Sequence, residues 1–470
     1  MKELFEDFEA NIHTLDSILN INENFDLIKR EMEIKSRKVT MYYVDGFVTA
    51  SIMQKLMMHL TTVTELGNGK KGDLEKFIKS SVPSVEVDAA YDFDTVTTMV
   101  LSGCTAIFAE GFGKGAIIVD ARSYPARSTE EPGNDKVMRG ARDGFVETLI
   151  FNTAMIRRRI RDPKLTVKYA NVGEMSKTDI AVVYIEGKAD PVYVKQLIAK
   201  IKSIKTDALP MGHQSLIECL IKKKWYNPFP KVRCTERPDA ACASIVEGSV
   251  IVLCDTSPEA MILPTAIFDF LQETNDYYYP CFTGTYLRLI RQMVFWGAIF
   301  LTPIWYTLVK NATVLPNWIS FIVPDNEGPV PIIAQLLIVE FVLDGLKLAS
   351  LNTPSVLSNS FSVVGGLLLG DFAVEIGWLC PDAIFYMAIE AIAGFTQSNY
   401  ELGYAFKFMR ILSLILIHFL NYWGLIIGTL ITLILIVTNE TVLGKRDYLY
   451  PLIPFNWKGL KSLLFRVKKP

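Results

Sequence analysis

Residues 406–437 read FKFMRILSLILIHFLNYWGLIIGTLITLILIV. A membrane-crossing helix needs about 20 mostly apolar residues, so this run is longer than one upright span. Trp423-Gly424 and Gly428 mark where it would bend or divide. Upstream, Gln292–Val309 is a second candidate span, with Arg288 and Arg291 before it and Trp305 and Tyr306 near its far end. Leu357–Leu379 is a third, although it holds Asp371 and Glu375, and the shorter Ala383–Phe395 carries Glu390. The stretch Ile332–Ala349 differs. Its Glu340, Asp344 and Lys347 recur at spacings of four and three on one helical face, an amphipathic pattern that predicts an interfacial or inter-subunit helix.

These runs set the fold class. The 470 residues are 50% hydrophobic and 21% charged, with mean hydropathy +0.26. That is too apolar for an ordinary soluble chain and too charged for one buried wholly in lipid. Segregation resolves the conflict: residues 1–280 carry most of the charge and 281–445 the apolar runs. The expectation is an α/β N-terminal half followed by an α-helical transmembrane domain with about four spans, 292–309, 357–379, 383–397 and 406–437. After Gly444 the tail (446–470 with Lys445) holds seven bases, Lys445, Arg446, Lys458, Lys461, Arg466, Lys468 and Lys469, against Asp447. The loop 310–331 has one base and two acids. Positive charge marks the cytoplasmic side. The acidic start MKELFEDFE is not a secretory signal. Both termini are therefore expected to be cytoplasmic, on an even number of spans.

The N-terminal half reads as a helical segment (1–38), a first α/β subdomain (39–125), a linker and helix (126–166) and a second α/β subdomain (167–280). In the first, the strand Met41–Val44 runs into Asp45-Gly46, and Ala106–Ala109 and Ala116–Val119 flank a glycine-bounded turn. In the second, Val182–Ile185 runs into Glu186-Gly187, and Ser249–Leu253 and Ala260–Leu263 flank Cys254–Glu259. The offsets are 141 (184 minus 43) and 145 (248 minus 103), which argues for two related units. Helices at Tyr193–Ile204 and Ile217–Lys223 supply a covering layer.

Catalytic signals are weak. Asp45 and Glu186 precede glycines after strands and read as turn residues. His13, His59, His213 and His418 form no sequence cluster, and Gly111-Phe-Gly-Lys-Gly115 sits in a hairpin rather than before a helix. No enzyme site, cofactor or metal site is expected. The seven cysteines lack CxxC or Cys/His spacing and read as small buried hydrophobes. With a net charge of -2 there is no global pull toward nucleic acid. The helix 147–160 ends in Arg157, Arg158, Arg159 and Arg161, stopped by Pro163. These arginines suit a subunit contact, an internal pairing with Glu130, Glu131 or Asp143, or anionic lipid; no aromatics are interleaved for nucleic acid.

Several blocks resemble the A subunits of GerA-type spore germinant receptors: Arg127–Pro132 (RSTEEP), Arg139–Phe145 (RGARDGF), Asn152–Pro163 (NTAMIRRRIRDP), Ser176–Asp179, Tyr184–Gly187, Phe268–Glu273 with Asp276–Tyr278, Val363–Glu375 (VVGGLLLGDFAVE) and Asn399–Tyr404 (NYELGY). The resemblance implies a protein of the inner membrane of the bacterial endospore, acting in germination with small membrane partners, and homo-oligomeric rings that conduct ions. The residues themselves leave three readings open: an oligomeric cation channel, a non-conducting scaffold, or a transporter. On the channel reading Asn359, Ser362, Val363, Gly366, Gly370, Asp371 and Glu375 line the pore, while Arg157, Arg158, Arg159, Arg161, Glu340, Asp344 and Lys347 meet neighbouring subunits.

Overall fold

A computed structural model describes residues 2–63, 73–82, 86–122, 140–221, 224–273, 275–325, 328–352, 370, 372–396 and 399–466. The chain divides into two compact units, Met1–Lys223 with Val232–Thr265, and Lys224–Lys231 with Ala266–Pro470.

The first unit contains the expected repeat. One copy runs α1 (Phe8–Leu19), β1 (Leu27–Ile34), β2 (Arg37–Val44), α2 (Ala50–Thr62), α3 (Asp73–Ser81), β3 (Val87–Ala90), α4 (Phe93–Leu101), β4 (Thr105–Ala109), β5 (Ala116–Val119). The other runs α5 (Leu149–Arg159), β6 (Leu165–Val172), β7 (Thr178–Ile185), α6 (Pro191–Lys202), α7 (His213–Leu220), β8 (Arg233–Thr235), α8 (Pro238–Val246), β9 (Val250–Cys254), β10 (Ala260–Leu263). Each forms a five-stranded antiparallel sheet of the same order, β1-β2-β4-β5-β3 and β6-β7-β9-β10-β8. Both predicted hairpins are present, with Ile107 opposite Ile117 and Val252 opposite Met261. The predicted turn glycines Gly46 and Gly187 have φ of 79° and 80°, a conformation only glycine adopts without strain.

Strand alternation explains the layering. In the first sheet Tyr42, Phe108 and Ile118 face a core with Leu15, Val96 and Val100 from α1 and α4. Their neighbours Met41, Ile107 and Ile117 face the opposite core with Leu56, Leu60 and Phe77 from α2 and α3. A sheet covered on both faces needs continuous apolar strands, and β4 (TAIFA) and β5 (AIIV) are buried at every position.

Two details correct the sequence reading. Residues 1–38 are not all helical, because β1 occupies 27–34 and pairs along its full length with β2. The LIKREMEI run is rich in helix-forming residues, so its strand state comes from the partner strand. The connection is a two-residue turn, Lys35-Ser36, with φ of 48° and 64°. That is the type I′ geometry usually announced by Asn-Gly, which this sequence lacks. Second, the helix placed in the linker, α5, opens the second copy as α1 opens the first. Asn11 and Asn152 hold equivalent backbone pincers. Asn11 Oδ1 accepts from Phe5 N at 2.7 Å and its Nδ2 donates to Phe5 O at 2.8 Å, while Asn152 does the same with Val146 at 2.8 and 2.5 Å.

The copies are joined by a buried ion pair. Arg157, on α5, places Nε and Nη2 each 2.9 Å from the Asp26 carboxylate and donates from Nη1 to Leu165 O at 3.0 Å; both side chains are at most 1% exposed. Nearby, Val167 N donates to Asn24 Oδ1 at 2.7 Å.

The second unit is helical: α9 (Cys281–Lys310), α10 (Ile332–Asn352), α11 (Pro381–Phe395), α12 (Tyr400–Leu420), α13 (Tyr422–Val437) and α14 (Trp457–Leu464). The apolar run 406–437 divides at Asn421, whose φ is 53°. There α12 and α13 fold back on each other: a Cβ added at Gly428 would lie 2.6 Å from Ser413 Oγ, so the small residues set this close approach.

Two outcomes follow for the first unit. Arg157→Ala leaves Asp26 buried and unpaired, which should cost about 3–5 kcal/mol of stability, read as a lower unfolding midpoint of the full chain in detergent. Arg158→Ala, at an exposed position on the same helix, should shift stability by less than ~1 kcal/mol. Burial pushes the thiols of Cys242 and Cys254 up to about 12. They should therefore resist iodoacetamide at pH 8, where exposed Cys219 and Cys281 are alkylated; peptide mass mapping reads the difference.

Candidate functional site

Lys407 and Arg410 lie on α12, just before its longest apolar stretch, Ile411–Ile417. Arg410 is the eleventh of 21 residues, so about 15 Å of helix lies on either side of it. A cation there must be met by carboxylates, and three helices supply them. Arg410 Nη2 is 2.6 Å from Glu340 Oε1 on α10, and Nη1 is 2.9 Å from Glu390 Oε2 on α11. Nη1 also donates to Ala298 O of α9 at 2.8 Å, and Thr302 of α9 donates to Glu390 Oε1 at 2.9 Å. Pro303 follows directly, interrupting the ladder of α9 by removing one N–H. One helical turn before Arg410, Lys407 Nζ pairs with Asp344 and lies 3.3 Å from Glu340 Oε1. Glu340, Glu390, Lys407 and Arg410 are all buried, and Thr302 is fully so. Three carboxylates face two cations, leaving one formal negative charge in the cluster. Among the described residues, Arg410 Nε has no hydrogen-bond partner.

Polar clusters close the two ends of α9. At its start, Asp276 takes Arg288 Nε at 3.2 Å and Arg291 Nη1 at 2.9 Å, and Arg291 Nη2 reaches Glu273 at 2.8 Å. At its end, Tyr306 Oη lies 3.0 Å from His418 Nδ1, Lys310 donates to Ile417 O at 3.1 Å, and Asn311 and Asn421 exchange amide bonds of 2.6 and 2.7 Å. From Arg291 to Lys310 is about 28 Å of helix, with the ionic cluster between.

The expected site residues fall out as follows. Asn359, Ser362, Val363, Gly366 and Asp371 lie outside the described residues. Gly370 and Glu375 border a concavity of about 530 Å³ together with Val374, Pro381, Ile384 and Phe385. Glu340 and Asp344, expected to meet other subunits, bond within the chain to Lys407 and Arg410, and Lys347 Nζ sits 5.9 Å from the Tyr404 ring centroid. Among the arginines, Arg157 is fully buried on Asp26, Arg159 is 2.6 Å from Asp143, Arg161 donates to Ser102, and Arg158 is exposed. Lys407 and Arg410 were not anticipated. The available signal was two cations, three apart, in an otherwise apolar helix.

The sheet repeat, the ionic helical bundle and the matching sequence blocks together define a class: residues 14–470 match the Bacillus/Clostridium GerA spore germination protein family, and the chain belongs to that family. Among its relatives it is 37% identical over 455 residues to stage V sporulation protein AF of Bacillus subtilis (strain 168), covering 96% of this chain and 91% of that one. It is 30% identical over 371 residues to spore germination protein A1 of the same organism, covering 78% and 76%. Another relative, at 28% over 433 residues, is the membrane protein YfkQ of that organism, covering 90% and 82%. The N-terminal domain of the A subunit of the Bacillus megaterium spore germinant receptor GerK3 aligns at TM-score 0.41 and 21% identity, over 56% of this chain and 96% of that one.

Removing Arg410 alone leaves Glu390 buried without a cation and Glu340 with Lys407 only. Arg410→Ala should cost about 3–5 kcal/mol, seen as loss of the folded species in detergent size-exclusion and thermal-melt assays. Arg410→Met combined with Glu340→Gln and Glu390→Gln removes the charges together and should recover most of that loss.

Proposed function

We infer that this chain is a membrane-embedded, non-enzymatic subunit of the spore germination machinery that assembles into a homo-oligomeric cation channel. One observation carries the reading: the helical unit buries an ionic cluster in its core and exposes large apolar side chains on its outside. Its interior holds the Glu340–Arg410–Glu390–Lys407 cluster, while Phe341, Phe385, Ile392, Phe408, Phe419 and Ile434 are 52–80% exposed. Lipid suits such an exterior better than water. Among the described residues two helices, Cys281–Lys310 and Tyr400–Leu420, are long and apolar enough to cross a membrane, and the 16-residue α13 is apolar but shorter. Ionisable side chains at membrane depth face the bundle interior, pair with one another and mark ion pathways in many membrane proteins.

The arrangement of the helical unit supports a multi-pass topology with the tail on the side where α9 begins. Arg466 donates to Tyr277 O at 2.7 Å, whereas Asn311 meets Asn421 at the opposite end. With the basic tail, this supports a cytoplasmic position, on the core side of the inner spore membrane, for the tail and the start of α9. The cluster's net negative charge and Glu375 favour cations over anions. On this reading the segment 357–379 lines the pore, and the chain's partners are further copies of itself and small membrane proteins of germination. The competing scaffold reading uses the same ion pairs purely to hold helices together.

Planar-bilayer recording separates the two. Purified oligomers should pass cations, and Glu375→Gln should reduce cation conductance severalfold without changing oligomer size. Folded, assembled protein that passes no current would favour the scaffold.

A further inference from the structure

Among the described residues, the second sheet copy carries a cluster that the first lacks. His213 opens α7, Cys234 lies in the edge strand β8, and Glu259 sits immediately before β10; one ligand atom of each lies within 4.8 Å of the others. His213 Nε2 is 3.1 Å from Glu259 Oε2, and both side chains are 21% exposed. On the other side of the ring, Nδ1 is 2.5 Å from the hydroxyl of buried Ser257. Gly212, at φ 52°, lets the start of α7 approach that serine: a Cβ there would lie 3.2 Å from Ser257 Cβ.

The strand registers identify the equivalent positions in the first copy. Val119 pairs with Thr105 as Leu263 pairs with Val250, so Ala116 corresponds to Ala260 and Gly115 to Glu259. Ala116 pairs with Ala90 as Ala260 pairs with Thr235, so Ala89 corresponds to Cys234. Glycine and alanine in the first copy show that the fold itself does not call for a thiol and a carboxylate there.

We propose that His213, Cys234 and Glu259 form a zinc(II) site. Imidazole, thiolate and carboxylate are the donor types zinc takes, and three of them leave a fourth tetrahedral position for water. The thiolate and imidazole select against magnesium and calcium, which prefer all-oxygen shells. With the metal on Nε2, Nδ1–H donates a hydrogen bond to Ser257 Oγ, which fixes the tautomer and the ring orientation, the supporting role an outer partner plays for a metal-bound histidine. Binding replaces the His213–Glu259 contact and releases the Cys234 thiol proton to solvent, so affinity rises with pH. The ion ties the start of α7 and the edge strand β8 to the β9–β10 turn.

The test uses the full chain in detergent, stripped with chelator and titrated with cobalt(II) and then zinc. One equivalent of cobalt should give a thiolate-to-metal charge-transfer band that zinc abolishes. Cys234→Ser should remove the band, and His213→Ala should weaken zinc binding by more than the ~10–100-fold lost with a supporting partner. Cys219→Ser and Cys281→Ser should leave both unchanged. In the unmodified chain, zinc should slow alkylation at Cys234 and not at Cys219, a readout independent of how the variants fold. A cobalt spectrum that survives Cys234→Ser, or alkylation of Cys234 unaffected by zinc, overturns the site.

Discussion

The helical unit depends on how Arg410 is neutralised. A cation at the middle of a 21-residue apolar helix is tolerated only where carboxylates and carbonyls converge on it. Glu340, Glu390 and the Ala298 carbonyl do so from three separate helices. That requirement fixes which faces of α9, α10, α11 and α12 turn inward, because each must bring one group to the same guanidinium. Apolar packing around it, such as Phe295 against Phe406 at 4.6 Å between ring centroids, fills space but selects orientation less sharply.

The first unit solves a comparable problem with Arg157. Its guanidinium bridges the copies by meeting Asp26 between α1 and β1 of the first, while Asn24 and Phe25 bond to β6 of the second. The two sheets are thereby held by charge and backbone polarity rather than by a broad apolar seam alone. The pincer asparagines do the analogous local task at the head of each leading helix, which is why the same residue recurs 141 positions apart (152 minus 11).

Much of this was legible in the residues. The hairpins, the turn glycines and the duplication follow from short local patterns with fixed offsets, and the apolar runs announced the helical unit. What escaped notice was non-local. The strand β1 resembles a helix until β2 is placed beside it. Lys407 and Arg410 are hidden by the hydropathy of their surroundings, and Glu340 and Asp344 invite an inter-subunit reading because their partners lie more than 60 residues away. His213, Cys234 and Glu259 span 47 residues (259 minus 213, inclusive), far from any compact metal-binding spacing.

The break at Asn421 bears on how the chain is made. Residues Glu340, Asp344 and Glu390 precede Lys407 and Arg410 in the sequence, so on the ribosome the acids emerge before the bases. The carboxylates of α10 and α11 are therefore made before α12, whose cations neutralise them, and α12 is made before α13, the helix it packs against beyond Asn421. The hairpin made last thus brings the charges that complete the cluster, and a chain arrested before residue 407 would hold Glu340, Asp344 and Glu390 without the two cations that pair with them.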